Sequence, residues 1–340
     1  MLYFRNDYSE GAHPEILSAL CDTNLERTPG YGHDDYCRRA AERIRELCCA
    51  PEAGVHFLPG GTQVNKTAIG AFLRPYEAVI APDCGHINVH EAGAIEHNGH
   101  KILPCPCPDG KLTADMIEQV LDKNNSEQTV VPRLVFLSNA TELGTVYSRA
   151  ELETLHNLCD ERDLLLYCDG ARLGSAITAV GADLSFPDYA RYCDAFTIGG
   201  TKNGLLFGEA LVVVNPALQE GFRYVMKQQG AVLAKGRLLG VQFEAVLRDG
   251  LYLRLARHAN MMADRLRQGL ADLGISVLSD STTNQIFPIL AASDAAKLRE
   301  QCDFEIIEPM NNNRVCIRFV TSWATRPEEV EQLLEILRNL

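Results

Sequence analysis

The sequence predicts an α/β protein whose larger domain has a mainly parallel central sheet covered by helices on both faces. Short, continuously apolar runs alternate with stretches in which apolar residues recur at helical spacing, a pattern typical of βαβ units and of strands buried on both faces. In the last third of the chain the runs are shorter, which predicts a small C-terminal α+β domain. A length of 340 residues also favours two domains. We expect residues 1–243, which include an N-terminal segment, to form the larger domain and residues 244–340 the smaller one.

Each strand of the larger domain is predicted from a mostly apolar run that ends before Gly, Pro or a polar residue. The predicted strands are residues 55–58, 78–81, 134–137, 164–168, 195–198 and 210–214. Helices are predicted where apolar residues return every three or four positions, and Asp34 is expected to cap the first of them. The predicted helices are residues 35–49, a helix that Gly60-Gly61-Thr62 opens and that continues to residue 72, and residues 150–162.

A long helical region is predicted from about residue 225 to residue 273, where the larger domain passes into the smaller one. Beyond it, short apolar runs predict strands and amphipathic stretches predict helices. The predicted strands are residues 276–278, 284–289, 305–308 and 315–319, and the predicted helices are residues 292–301 and 327–337.

Charge and hydropathy exclude several classes of protein. The chain has 32 Lys and Arg residues against 45 Asp and Glu residues, a net charge of −13. This balance argues against binding to nucleic acid or to anionic membranes. No apolar run approaches the roughly 20 residues of a membrane span, and the first residues lack the apolar region of a signal peptide. The 12 cysteines contain no Cys-x-x-Cys pair, so we expect a cytoplasmic protein with reduced, mostly buried thiols.

Polar and Gly-rich segments follow the predicted strands, at the edge where ligands bind in open α/β sheets. They are residues 59–62, 83–86, 139–145, 169–172 and 199–202. We therefore expect the site to be built from these five segments.

Three of these segments suggest a specific chemistry. Asp169 ends an apolar strand, so its carboxylate needs a cationic or hydrogen-bonding partner, and Arg172 could be that partner in a purely structural ion pair. Lys202 lies in a Gly-rich turn, where it is either a solvated loop lysine or a desolvated amine able to form a Schiff base. Gly60-Gly61-Thr62 opens a helix directly after a strand, which suits a phosphate group.

Together these features are what pyridoxal phosphate requires. The protonated ring nitrogen needs a carboxylate, the aldehyde needs a lysine, and the phosphate needs a helix N-terminus. His86 and His90 lie four residues apart and could share a metal on a helix face. No third ligand stands at a standard spacing, so we expect no metal.

The chain resembles the threonine aldolase family of fold-type I pyridoxal phosphate enzymes, within the beta-eliminating lyase group. The matching segments lie in order along nearly the whole chain: Arg5-Asn6-Asp7, Tyr31-Gly32-His33-Asp34, residues 57–65, His86 with Glu91-Ala92-Gly93, Asp169-Gly170-Ala171-Arg172, Phe196-Thr197-Ile198 with Thr201-Lys202, and Arg318. The resemblance implies the transferase-like fold of these enzymes, and homodimers or homotetramers with their sites at subunit interfaces.

The resemblance also implies a role for each matching residue. Lys202 would hold the cofactor covalently, Asp169 would pair with the ring nitrogen, and His86 would stack on the ring. The remaining cofactor-contacting residues would be Gly60, Gly61, Thr62, Arg172 and Thr201. The substrate would be held by Arg318 as the main carboxylate partner, with Arg172 and Asn6.

The implied activity is cleavage of L-threonine or L-allo-threonine to glycine and an aldehyde, with His86 or an ordered water as the base. The family's usual Asn-Thr-His stretch reads Asn139-Ala140-Thr141-Glu142 here, so a second active-site histidine is absent at that position. A preference for bulky substrates such as phenylserine therefore stays open. Lys235 and Arg237 fall where relatives often reach a neighbouring subunit's phosphate site, although both could be ordinary surface charges.

Three other functions stay open. The same cofactor could support β-elimination or transamination, which would release a keto acid instead of glycine and an aldehyde. The fold could also serve a non-catalytic binding protein, but the retained Lys202, Asp169 and His86 argue against that. A metal-dependent hydrolase built on His86 and His90 is the most remote alternative.

Overall fold

The computed structural model describes residues 1–340. The strands are β1 (Leu2–Tyr3), β2 (Gly54–Leu58), β3 (Glu77–Pro82), β4 (Ile102–Cys105), β5 (Val131–Ser138), β6 (Leu165–Asp169), β7 (Ala195–Gly199), β8 (Glu209–Val213), β9 (Gln285–Ile286), β10 (Ile289–Ala291), β11 (Cys302–Asp303), β12 (Glu305–Met310) and β13 (Arg314–Val320). The helices of the first half are α1 (Pro14–Asp22), α2 (Asp35–Leu47), α3 (Gly61–Phe72), α4 (His86–Val89), α5 (Ala94–His97), α6 (Ala114–Lys123) and α7 (Arg149–Glu161). Those of the second half are α8 (Leu173–Thr178), α9 (Phe186–Tyr192), α10 (Phe222–Gln228), α11 (Arg237–Leu247), α12 (Leu251–Asp272), α13 (Ala292–Leu298) and α14 (Pro327–Arg338).

The central sheet has seven strands in the order β2-β8-β7-β6-β5-β3-β4. Strands β3, β4, β5, β6 and β7 pair in parallel, and only β8 runs against its neighbours β7 and β2. The predicted mainly parallel sheet is therefore confirmed. Because neighbouring parallel strands end at the same edge, the polar segments that follow β3, β5, β6 and β7 are brought together there.

Helices cover this sheet on both faces. Alternate residues of β5 belong to different cores: Val135 and Leu137 lie in a core of 41 buried residues, whereas Leu134 and Phe136 lie in a core of 21. Such burial on both faces explains why the strands are apolar throughout. The predicted cap is also confirmed, since Asp34 accepts a hydrogen bond from the backbone N–H of Cys37 at 2.9 Å and begins α2.

A smaller antiparallel sheet, with strand order β10-β13-β12 and β9 also paired to β13, forms the C-terminal unit. Its core of 18 buried residues includes Leu2 and Phe4, because β1 pairs in parallel with β11. Helix α12 contributes Leu255 to the large core and Leu266 to this smaller one. The domain boundary near residue 243 stays a prediction; that residue lies inside α11.

Several predicted elements differ from the structure for identifiable reasons. The helical region predicted over residues 225–273 is three helices, because Gly230, Asp249 and Gly250 have positive φ angles of 72°, 50° and 70°. The strand predicted at residues 284–289 is broken before Ile289 by Pro288, which has no N–H to donate. The strand predicted at residues 276–278 is reduced to an isolated bridge between Val277 and Pro288.

Strand β4 was not predicted, since its sequence Ile102-Leu103-Pro104-Cys105 contains a proline. It lies at the edge of the central sheet, where proline is tolerated. No helix of the protein combines the length and the apolar character needed to cross a membrane. The cytoplasmic location stays a prediction.

Candidate active site

One cavity of about 530 Å³ lies at the carboxyl edge of the central sheet. It is lined by every predicted site residue except Asn6, namely Gly60, Gly61, Thr62, His86, Asp169, Arg172, Thr201, Lys202 and Arg318. The side chain of Asn6 instead accepts hydrogen bonds from its neighbours Tyr8 and Ser9. The fold therefore gathers residues from both halves of the chain around one space.

Lys202 follows β7 in a turn that the surrounding backbone packs tightly. A Cβ on Gly199 would lie 2.3 Å from the carbonyl oxygen of Ala171, so only glycine fits there. Burial disfavours the charged ammonium and, with the positive charge of Arg172, lowers the pKa of Lys202, although Asp7, Asp169 and Glu209 oppose this in part. A lysine with a lowered pKa supplies more of the neutral, nucleophilic amine.

The turn around Lys202 is fixed by two further side chains. The backbone N–H of Gly200 donates to Glu209 at 2.8 Å, and Thr201 accepts from the N–H of Gly208 at 3.0 Å. Burial raises the pKa of Glu209 to about 7. Nothing in the local sequence had marked Glu209, which begins β8 and reaches the cavity only through strand pairing.

Asp169 is buried at the end of β6 and is held by two uncharged donors. Its Oδ1 accepts from the N–H of Ala171 at 2.8 Å, and its Oδ2 accepts from the side-chain amide of Asn65 at 2.9 Å. The ion pair with Arg172 that the sequence allowed is wrong, because Arg172 bonds to Asp7 instead. Neither oxygen of Asp169 is therefore occupied by a protein cation.

Asn65 links Asp169 to the histidine side of the cavity. The amide nitrogen of Asn65 that donates to Asp169 also donates to Glu91 at 2.8 Å. The side-chain oxygen of Asn65 accepts from the hydroxyl of Tyr167 at 2.9 Å. Glu91 in turn lies 2.8 Å from Nδ1 of His86. Since a carboxylate only accepts, Nδ1 carries the hydrogen, and Nε2 is the acceptor of the neutral ring.

Two arginines face the other side of the cavity. Arg172 donates to both oxygens of Asp7, and Arg318 bonds to Glu305 and to Gln285, the latter at 3.2 Å. The Nε of Arg318 is buried and has no partner. Burial and the positive charge of Arg172 lower the pKa of Arg318, so this part of the cavity favours an anion.

The N-terminus of α3 is open toward the cavity. Gly60 supplies no side-chain cap, and a Cβ added at Gly60 or Gly61 would meet no atom within 4 Å. The first backbone N–H groups of a 12-residue helix are thus free beside empty space. Such a position suits a phosphate group.

Neither Lys235 nor Arg237 lines this cavity. Lys235 is exposed just before α11, and Arg237 donates to the carbonyl oxygen of Thr23. Their expected contact with a neighbouring subunit stays a prediction.

A lysine and a carboxylate at the carboxyl edge of a largely parallel sheet, opposite a free helix N-terminus, define a fold-type I enzyme, the class that uses pyridoxal phosphate. Residues 4–293 match the family described as beta-eliminating lyase. The chain belongs to this family, as its sequence resemblance implied.

Known proteins agree with this assignment. A low-specificity L-threonine aldolase of Pseudomonas aeruginosa is 34% identical over 340 residues, which cover 98% of this chain and 96% of that protein. A threonine aldolase of Leishmania major has 46% identity and a TM-score of 0.98, covering 100% of this chain and 99% of that one. A double mutant of the aspartate aminotransferase of Thermus thermophilus, at 15% identity with a TM-score of 0.72, covers 100% of this chain and 91% of that one and shares the fold.

Proposed function

We propose that this protein is a pyridoxal phosphate-dependent aldolase that cleaves L-threonine or L-allo-threonine to glycine and acetaldehyde. The observation that carries this proposal is the meeting of Lys202, Asp169 and the open N-terminus of α3 around one cavity. The proteins named threonine aldolases above match nearly the whole chain, which supports the same reaction here.

The residues around the cavity fit the cofactor at each of its functional groups. Lys202 would hold the aldehyde carbon, Asp169 would keep the ring nitrogen protonated, and His86 would lie against the ring. The phosphate would lie at the N-terminus of α3, beside Gly60, Gly61 and Thr62, with Arg172 and Thr201 nearby. When bound, the cofactor supplies an electron sink for the bond that breaks at Cα.

Arg318 is the main candidate to bind the substrate carboxylate. Its guanidinium has an unpartnered Nε and lies in a part of the cavity that favours anions, and a guanidinium holds a carboxylate through two parallel hydrogen bonds. Arg172 already forms an ion pair with Asp7 and would assist Arg318 in binding the carboxylate. Asn6 would act from the loop at the substrate end.

The proposed reaction moves one proton and breaks one carbon–carbon bond. The β-hydroxyl oxygen loses its proton, its electron pair becomes the C=O bond of acetaldehyde, and Cα–Cβ breaks. Cα of the released glycine gains a proton, so the atoms balance. The residues of the chain must therefore remove a proton at the β-oxygen and deliver one at Cα, and His86 or an ordered water are the candidates that the sequence suggested.

We further propose that the enzyme works as a homodimer or homotetramer with its sites at the subunit interface. The cavity of the single chain is partly open to solvent, and the exposed Tyr8 is among the residues that line it. Sedimentation of the purified protein would decide the subunit number, and a monomer that is fully active would contradict this part of the proposal.

The decisive experiment incubates the purified protein and pyridoxal phosphate with L-threonine, L-allo-threonine or phenylserine and follows the products by NMR. We expect glycine and the matching aldehyde in equal amounts. A Lys202→Ala variant should be inactive, whereas Lys101→Ala, which changes an exposed lysine, should match the wild type. A keto acid with ammonia would indicate elimination or transamination, and no turnover of any substrate would favour a binding protein.

A further inference from the structure

The cavity contains one carboxylate that the proposed roles above do not use. Glu142 follows β5 and lines the cavity together with Lys202 and Asp169. Its Oε1 accepts two hydrogen bonds, from the backbone N–H of His86 at 2.8 Å and from the hydroxyl of Ser138 at 2.7 Å. Its Oε2 is covered from solvent and has no hydrogen-bond partner in the chain.

A structural role alone explains this arrangement poorly. Both donors to Glu142 are uncharged, and a buried carboxylate without a cationic partner is costly. If the group only held the His86 loop in place, an amide would do so without the cost of the charge. The unpartnered Oε2 is therefore the atom of the side chain that lacks a hydrogen-bond donor, which a bound ligand could supply.

The surroundings of Glu142 also raise its affinity for a proton. Burial raises the pKa of Glu142, the negative charge of Asp169 adds to this, and the hydrogen bonds from Ser138 and His86 offset it in part. Cys84 after β3 and Tyr147 on the same loop also interact with the charge of Glu142. Other titratable groups that line the same cavity are His86, His90, Arg172, Lys202, Glu209, Glu305 and Arg318. A carboxylate tuned upward by burial can act as a general base near neutral pH.

We propose that Glu142 is the base that takes the β-hydroxyl proton of the substrate, with Oε1 anchored by the chain and Oε2 free to accept. This inference rests on the proposed aldol cleavage. The O–H proton passes to Oε2, the O–H electron pair forms the C=O bond of the aldehyde, and the Cα–Cβ electron pair leaves with the glycine half. Cα of the glycine half then gains a proton, and Glu142 gives up the proton it took, which restores the carboxylate and balances the step.

Glu142 and His86 are held in different ways. Nδ1 of His86 is bonded to the buried Glu91, which fixes the ring and leaves Nε2 as its acceptor, so His86 is the alternative base that the test must exclude. The carboxylate of Glu142 is anchored at Oε1 only, and its second oxygen, Oε2, has no partner in the chain. The stretch from residue 139 to residue 144 holds no histidine, and Glu142 is its only side chain able to act as a base.

The first test compares Glu142→Gln with Ser138→Ala in the cofactor-loaded enzyme. The glutamine keeps an oxygen that accepts from Ser138 and His86 but cannot take the proton. We expect kcat for L-threonine cleavage to fall by about 10²–10⁴-fold, with KM changed less than fivefold. Ser138→Ala removes one anchor and should lower kcat by less than tenfold.

The pH profile separates a base from a structural group. Cleavage by the wild type should fall as pH drops through the raised pKa of Glu142, because a base must be deprotonated to act. The residual activity of Glu142→Gln should lack this acidic limb. An unchanged kcat, or an acidic limb that persists in the variant, would overturn the proposal and return the role to His86 or water.

A second readout needs no activity at all. Between the ordinary pKa of Glu, about 4.3, and the raised folded value, the folded wild type binds more protons than the unfolded chain, so its stability falls as pH rises. The Tm of cofactor-free Glu142→Gln relative to the wild type should therefore increase as pH is raised above about 4.3, and should level off once the raised pKa of Glu142 is passed. A variant that loses stability relative to the wild type over this range would overturn the proposal by assigning Glu142 a structural charge.

The two experiments distinguish the inference from the function it rests on. A wild type that cleaves neither threonine isomer would overturn the proposed function and this inference with it. An active wild type whose Glu142→Gln variant keeps its kcat would overturn only the inference.

Discussion

Arg172 and Asp7 form a largely buried ion pair closed by two hydrogen bonds, of 2.8 Å and 3.0 Å, although they lie 165 positions apart in the chain. Asn284 of the C-terminal sheet domain also donates to Asp7 at 2.8 Å. One carboxylate thus ties the N-terminal segment to the edge of the central sheet and to the C-terminal domain. Burial alone would raise the pKa of Asp7, but the charges of Arg172 and Lys202 and the hydrogen bonds lower it.

This pair should contribute strongly to stability. Asp7→Ala leaves the guanidinium of Arg172 buried and unpaired, which should lower the free energy of unfolding by about 3–5 kcal/mol. The matched control is Asp303→Ala, which breaks the more exposed pair with Arg5 and should cost no more than about 1 kcal/mol. Urea denaturation at neutral pH measures both, and equal effects would contradict the expected role of Asp7.

The same pair predicts the sign of a pH effect. Because the folded pKa of Asp7 is lowered, its contribution is fully present above the unfolded value of about 3.9 and is lost as pH falls through the folded pKa. The stability difference between the wild type and Asp7→Ala should therefore shrink at acid pH. A difference that grows on acidification would mean that the carboxylate is not stabilised by Arg172.

The open N-terminus of α3 predicts a variant that binds the cofactor poorly but folds well. A methyl group on Gly61 meets no protein atom within 4 Å, and alanine favours the helix by about 0.5–1 kcal/mol. Gly61→Ala should therefore keep or raise the Tm of the cofactor-free protein and weaken pyridoxal phosphate binding about tenfold, a loss of about 1.4 kcal/mol. The control is Gly11→Ala, at an exposed glycine with equally free space, which should change neither the Tm nor the cofactor affinity. If Gly61→Ala left the cofactor affinity unchanged, the phosphate would have to lie elsewhere.

Asp169→Asn tests the partner of the ring nitrogen. The asparagine keeps the shape of the side chain and one acceptor, for the N–H of Ala171 or the amide of Asn65, but loses the negative charge that holds the ring protonated. We expect turnover to fall by about 10²–10³-fold, while the variant still binds pyridoxal phosphate. Near-normal turnover, measured as glycine formed per minute, would exclude Asp169 from this role.

Replacing Arg318 should weaken the binding of the substrate. Arg318→Lys keeps the charge but loses the planar pair of donors, so KM for L-threonine should rise at least tenfold, a loss of about 1.4 kcal/mol. The control is Glu305→Gln, which removes the acidic partner of Arg318 and should leave KM unchanged or lower it. If Arg318→Lys binds threonine as the wild type does, the carboxylate lies at another residue.

The parts of the site that the sequence predicted are those that lie at strand ends. Asp169 and Lys202 could be found because each follows an apolar run, and parallel strands carry such ends to one edge. The resemblance added Arg318, which no local pattern marks. The same apolar runs predicted the strands of the central sheet. Strand β4 was missed because it contains Pro104, which is acceptable only at a sheet edge.

What could not be predicted depends on contacts between distant segments. The Asn65 amide reaches Asp169 across 104 residues of sequence, and Arg172 bonds to Asp7 instead of its near neighbour Asp169 because the N-terminal segment folds back over the sheet edge. In the sequence, Glu142 stood out only because it lies in the stretch that lacks the family's usual histidine. Its significance depends on an oxygen atom without a partner, which only the folded chain reveals.

The most direct test of the whole account is to locate the lysine that holds the cofactor. The protein is loaded with pyridoxal phosphate, reduced with borohydride to make the linkage permanent, digested and mapped by mass spectrometry. We predict that the added mass lies on Lys202 and is absent from every other lysine. A cofactor found on a different lysine, or no stable attachment at all, would contradict the assignment of this cavity as the active site.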